Sequence, residues 1–144
     1  MSCETDKNKY CGCLYYSANA LARVMTKIAE EEFSITQLAP SYAFLLMIIN
    51  EKPAIQPKEI SSKMMLKPST VTRLIEKMEF RGFVERKTIG KNTEVYPTQK
   101  SLEINMKIKQ AWVNLFSRYI SLLGEDESES LTSSIYEAAI KLQE

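Results

Sequence analysis

The sequence predicts a mainly helical fold that carries one small β-hairpin. Three observations point there. Apolar residues recur at threes and fours over several long stretches. Four glycines and five prolines in 144 residues are too few for a turn-rich β fold. A single stretch, "FVERKTIGKNTEVYP" (83–97), departs from the helical period, with two short β-prone runs, "FVERK" and "TEVYP", around a turn containing Gly90 and Asn92. The length suits one domain over 1–144. Apolar residues at 44% and charged residues at 26% make an ordinary globular composition. Residues 1–10 are expected to be a flexible tail.

The elements follow in order. From about Cys11 to Glu32, Leu14, Ala18, Leu21, Met25 and Ile28 form one apolar stripe, the mark of a helix. "SITQLAP" is a connector. Pro40 then suits the first turn of "PSYAFLLMIIN", a nearly all-apolar helix that must be buried. "NEKPAIQP" breaks it. A short helix is expected over about 57–65, with Ile60 and Met64 facing in. Pro68 opens the next, about 68–81, with Val71, Leu74, Ile75 and Met78 inward and Gly82 placed as a C-terminal cap. Pro97 ends the hairpin and is expected to restrict its strand to an edge. Thr98 is placed to cap a long helix whose stripe is Ile104, Ile108, Trp112, Leu115, Phe116, Tyr119, Ile120 and Leu123. Asp126 and Glu129 are spaced like a capping box before a last helix with Leu131, Ile135, Ala138, Ala139 and Leu142.

Two short helices joined by a tight turn and followed by a hairpin have the layout of a winged helix-turn-helix. The charge distribution agrees. Net charge is +1, but residues 63–100 hold nine Lys/Arg against four Glu, leaving the rest of the chain at −4. A basic segment on an acidic chain points to a polyanion, the alternative being a solvated basic face. If Val71, Leu74, Ile75 and Met78 face the core, then Ser69, Thr70, Thr72, Arg73, Glu76 and Lys77 face away or lie at the edges. Arg73 is the candidate for a bidentate guanine contact. Arg86, Lys87 and Lys91 on the hairpin are candidates for phosphate or minor-groove contact. Small hydroxyls are also ordinary at helix starts, which is the plain alternative for Ser69, Thr70 and Thr72.

"LKPSTVTRLIEKMEFRGFVERK" (66–87) resembles the recognition helix and first wing strand of MarR-type regulators. The match lies in the small-residue helix start, Arg73, the apolar stripe, Glu79, Arg81-Gly82-Phe83-Val84 and Arg86, and the flanking helices extend it over almost the whole chain. The resemblance implies a dimeric winged helix-turn-helix transcriptional regulator on double-stranded DNA, with a pseudo-palindromic operator and often a ligand or oxidant that releases it. It implies 40–97 as the DNA-binding core and 11–32 and 98–144 as dimerisation helices. Those helices do offer more apolar face than a small winged core covers, and Trp112, Phe116 and Tyr119 suit an interface. A monomeric bundle packed on itself is the alternative. The wing departs from the family pattern. Its usual aspartate–arginine pair falls on Ile89 and Lys91, Pro97 replaces a leucine and Ser101 a glycine.

The chain has three cysteines and no histidine. No histidine-assisted nucleophile and no glycine-rich phosphate loop are available, so no enzyme and no cofactor are expected. Three thiols, two of them separated only by Gly12, make a poor zinc site. "CGCLYY" resembles the first helix of the organic-hydroperoxide-sensing branch of MarR-type regulators. That resemblance makes Cys11 the candidate sensing thiol, Tyr15 and Tyr42 its hydroxyl donors, and Cys13 or Cys3 the resolving thiol. Incidental small residues are the plain alternative. "MSCETDKNKY" has no apolar core of a secretory signal, and no apolar run approaches a membrane span, so a cytoplasmic protein is expected. A winged helix used only for protein contact, and a thiol oxidoreductase using Cys11 and Cys13, are the competing functions.

Overall fold

The computed structural model describes residues 8–143. The element order is α1 (Leu14–Phe33), a 3-10 turn (Ser34–Thr36), α2 (Pro40–Glu51), α3 (Pro57–Met64), α4 (Pro68–Phe80), β1 (Val84–Ile89), β2 (Asn92–Pro97), α5 (Gln99–Leu123) and α6 (Glu125–Leu142). This is the mainly α architecture with a hairpin wing. Three of the helices open on proline: Pro40, Pro57 and Pro68. At that position the missing N–H has no helical partner to lose and the fixed φ already fits. Among the described residues, no single helix is long and apolar enough to cross a membrane.

The core lies where α2, α3, α4, the hairpin and α5 meet. Leu45, Leu46, Ile49, Ile60, Val71, Ile75, Met78, Val84, Val95 and Ile108 are all essentially sealed from solvent. Each aliphatic side chain of this kind stabilises the fold by about 1.5–3 kcal/mol through burial. An aromatic line runs beside it. Phe33 at the end of α1 packs on Phe44 of α2 at 5.8 Å, and Phe44 meets Trp112 of α5 edge-on at 6.0 Å. Arg118 of α5 ties back to α1 through Glu31 at 2.8 Å and Glu32 at 3.0 Å.

A polar knot joins α2 to α5. The buried Ser101 hydroxyl donates to Asn50 Oδ1 at 2.7 Å. Asn50 Nδ2 donates to the Ser101 carbonyl at 3.1 Å and to Asn105 Oδ1 at 3.0 Å. The serine at the family's usual glycine position is therefore used, because its hydroxyl satisfies a half-buried asparagine that would otherwise lose water without replacement.

The helix-turn-helix corner is built from two devices. Met65 adopts the left-handed conformation at φ 55°, which turns the chain sharply after α3. That strain is held by the Ser61 hydroxyl, which donates to the Leu66 carbonyl at 2.6 Å. At the other end of α4, Gly82 sits at φ 82°, where a side chain is disfavoured. The Gly82 N–H donates to Glu79 O and the Phe83 N–H to Met78 O, closing a Schellman cap over the buried Met78 and Phe83.

Several sequence expectations are corrected. Cys11 and Cys13 precede α1 rather than lie in it: Asn8 to Cys13 form turns, and Cys13 is the N-cap residue. The hairpin turn is Gly90-Lys91, with Asn92 already paired to Ile89. Gly90 at φ 63° supplies the first central residue that a II′ turn requires. β2 is not an edge throughout, because Val95 also pairs with Ile55 on its other side, and Pro97 is tolerated as its last residue. Thr98 does occupy the N-cap of α5, but its hydroxyl donates to Gly82 O at 2.7 Å and Phe83 O at 3.0 Å instead of capping. The Asp126–Glu129 box does not form. Gly124 ends α5 and α6 restarts at Glu125, so both carboxylates lie inside the helix, Asp126 in a first turn whose positive end favours acids. Cys3 and most of the expected tail lie outside the described residues.

Candidate nucleic-acid interface

α4 buries Val71, Ile75 and Met78 and turns Ser69, Thr72, Arg73, Glu76 and Lys77 to solvent, with Thr70 half-buried. The side chains of Arg73 and Lys77 make no ion pair or hydrogen bond among the described residues, so both guanidinium and ammonium are available to a ligand. Thr72 differs from Ser69 and Thr70. Its hydroxyl donates to Pro68 O at 3.0 Å within the helix, which leaves only its lone pairs outward. The first turn of α4 has no side-chain cap, so its leading N–H groups point out beside these hydroxyls.

The hairpin is fixed to α4 by Arg86. Its Nη2 and Nε donate to Glu79 Oε1 at 2.8 and 3.2 Å, and its backbone N–H donates to Glu79 Oε2 at 3.1 Å. Nη1 also lies 3.9 Å from Glu76 Oε1. Arg86 thus braces the wing against the helix, and only its outer edge remains for a phosphate. Sequence reasoning missed this role. The two residues are seven apart across a helix end, and no periodic pattern links them.

This arrangement has an electrostatic signature. The Arg86 hydrogen bonds hold the Glu79 carboxyl below its ordinary value of 4.5, and the carboxylate in turn raises Arg86. A lowered acid stabilises the fold fully above its unfolded pKa, and the contribution is lost as pH falls through the folded one. Glu79→Gln is therefore expected to lower the urea midpoint at neutral pH, by an amount that shrinks as pH drops below 4.5. A pH-independent difference contradicts the brace.

Lys87 and Lys91 complete the wing. The Lys87 ammonium stands 4.7 Å from the Tyr96 ring centre, and the Tyr96 hydroxyl donates to Glu94 at 2.7 Å. That bond raises the Tyr96 pKa. Lys91 is exposed at the tip, beside an Ile89 that is 56% exposed where a wing aspartate is usual. Ser69, Thr70, Thr72, Arg73 and Lys77 thus share one helix, and Arg86, Lys87 and Lys91 share the adjoining hairpin.

The thiol candidates lie apart, at the head of α1. Cys11 is half-buried and disulfide-bonded. Cys13 is a free, exposed thiol. Tyr15 points to solvent at 79% exposure, whereas Tyr42 is partly buried against the core. No group of three metal-ligating side chains occurs among the described residues. A cleft of about 200 Å³ between α1, α5 and α6 is lined by Leu21, Met25, Tyr119, Leu123, Leu131 and Ile135. The buried Ser128 hydroxyl at its wall has no hydrogen-bond partner among the described residues.

Known proteins share this frame. The model of the MarR family matches residues 38–92, which span α2 to the hairpin. The HTH-type transcriptional repressor MdtR of Bacillus subtilis (strain 168) is 24% identical over 108 residues, covering 71% of this chain and 70% of MdtR. The transcriptional repressor CouR, solved bound to a 23-mer DNA duplex, superposes with a TM-score of 0.82 at 18% identity, covering 95% of this chain and 99% of that one. The MepR–DNA complex of S. aureus gives a TM-score of 0.77 at 13% identity, covering 90% of this chain and 97% of MepR.

Proposed function

We propose, from the premise that this chain is a MarR-type winged helix-turn-helix transcriptional regulator and not an enzyme, that it acts as a cytoplasmic homodimer on a pseudo-palindromic double-stranded DNA operator. The observation that carries this reading is α4 itself, with an unpaired Arg73 and Lys77 beside outward hydroxyls on a helix braced to a basic wing. The major groove admits one such helix, and a two-fold dimer presents two of them about one helical turn apart. In this reading Ser69, Thr70, Thr72 and Arg73 meet base edges and nearby phosphates. Lys77, Lys87, Lys91 and the outer edge of Arg86 meet the backbone.

Dimerisation is supported by the apolar side chains left uncovered on α1, α5 and α6, among them Val24, Trp112, Phe116, Leu122, Ile135 and Leu142. Repression is the sign that the names of MdtR and CouR favour. CouR has also been solved with p-coumaroyl-CoA, which supports release by a small ligand here, and the cleft between α1, α5 and α6 is the candidate entry. Release by an oxidant is the second route: Cys11 stands here in its disulfide-bonded form while Cys13 is a free thiol, so Cys13 is not its partner in this state, and Tyr15 and Tyr42 are the candidate donors to the reduced Cys11. It is ranked below the ligand because Tyr15 is turned to solvent.

Salt-dependent binding and operator selection test the reading. Arg73→Ala is expected to relax preference at one base pair by about 1–3 kcal/mol. Lys91→Ala is expected to weaken all sequences alike and to reduce the slope of log K against log salt by about 1. No duplex binding at low salt, or binding indifferent to both changes, sinks the proposal in favour of a winged helix that contacts protein alone.

A further inference from the structure

Ser69, Arg73, Glu76 and Phe80 follow one another at intervals of four, three and four residues, so they form one stripe along α4. The stripe lies opposite the buried Val71, Ile75 and Met78. Whatever Arg73 faces, Glu76 faces too. Its side chain is 56% exposed. A carboxylate brought against a phosphate backbone is repelled, so docking this face on any duplex is costly unless Glu76 meets a donor. The major groove offers two exocyclic amino donors, cytosine N4 and adenine N6. Adenine sets its N7 acceptor beside N6, which repels the second carboxylate oxygen. Cytosine presents its donor without that neighbour.

The wing keeps Glu76 ready for such a contact. Arg86 spends Nη2, Nε and its backbone N–H on Glu79 at 2.8, 3.2 and 3.1 Å. Its remaining Nη1 lies 3.9 Å from Glu76 Oε1, too far to occupy it with a hydrogen bond. Three helical residues rise about 4.5 Å, against a base spacing of about 3.4 Å. Arg73 and Glu76 therefore reach neighbouring base pairs.

We propose that Glu76 is a specificity-determining residue that accepts a hydrogen bond from cytosine N4, one base pair from the guanine taken by Arg73. The assignment rests on the DNA-reading function proposed above. Glu76 also acts as a gate against other sequences, since without a donor its charge meets only acceptors and phosphates.

Operator selection from random duplexes, run on the full chain and on two variants, tests it. The wild type is expected to select cytosine at one position per half-site, favoured by roughly 5- to 150-fold. Glu76→Ala flattens that position towards 1-fold and leaves the Arg73-dependent position as it was. It also tightens binding to non-specific duplex, because a negative charge has left the face. Glu76→Gln moves the preference to adenine, whose N6 and N7 match an amide. An alanine profile equal to the wild type at every position, or a glutamine profile that keeps cytosine, overturns the assignment and leaves DNA reading intact. Loss of all binding in both variants with unchanged unfolding midpoints overturns it as well. A wild type that enriches no operator removes the DNA reading and this inference with it.

Discussion

Phe116→Glu is expected to convert the protein to a monomer that still folds and binds its operator about 10²–10⁴-fold more weakly. Phe116 is 51% exposed on α5, and its ring meets Tyr119 edge-on at 5.5 Å. Trp112, one turn earlier, is 50% exposed. Large aromatic side chains left half in water on the same helix are poor surface residues and good interface anchors. A carboxylate at position 116 remains solvated in a monomer, so the fold tolerates it. In a dimer it enters an apolar interface without a partner, which costs several kcal/mol. Once the two halves separate, each recognition helix binds its half-site alone and the effective-concentration gain of the second contact is lost. Sedimentation gives the mass, and fluorescence anisotropy on the selected operator gives the affinity. A dimeric variant with undiminished binding rejects the assignment of this face.

The second large effect concerns the fold. Phe33→Ala is expected to lose about 3–5 kcal/mol in urea unfolding. Phe33 is fully buried where α1 meets the 3-10 turn and packs on Phe44, which carries the contact on to Trp112. Truncation removes its own burial and leaves a hole that the surrounding helices fill only in part. Set against a typical total of about 5–15 kcal/mol, the loss leaves a marginal protein. Phe80→Ala serves as the control. Phe80 is 92% exposed, so its removal opens no cavity and should shift stability by less than about 0.5 kcal/mol. Equal losses from the two variants contradict the packing described here.

Much of this architecture is legible from residues with local rules. Pro40, Pro57 and Pro68 mark helix starts because within a helix proline fits only the first turn, and the stripe Val71-Leu74-Ile75-Met78 gives the register of α4 directly. Gly82 and Gly90 announce conformations that other residues resist. What is not legible depends on tertiary partners. The Ile55–Val95 bridge is one residue pair and has no period to detect. Thr98 looks like a cap, but two carbonyls from the end of α4 compete successfully for its hydroxyl. Asp126 and Glu129 have box spacing, yet the helix takes Gly124 as its N-cap, two residues too early for it. In the candidate site, the outward position of Arg73 follows from periodicity. The engagement of Arg86 by Glu79 does not, because it requires knowing how far the hairpin folds back on the helix.

The junction of α4 with α5 has a mechanical meaning. Thr98 holds the Gly82 and Phe83 carbonyls, and the Lys100 ammonium donates to Arg81 O at 2.7 Å. The end of α4 is thereby pinned to the start of a helix of 25 residues, a rod about 37 Å long. A rod of that length acts as a lever. Tilting it by about 5° at the α6 end moves the other end by about 3 Å, nearly one base step of about 3.4 Å. An adjustment small enough for rotamers to absorb at one end becomes, at the other, a displacement of α4 comparable to the spacing of stacked bases.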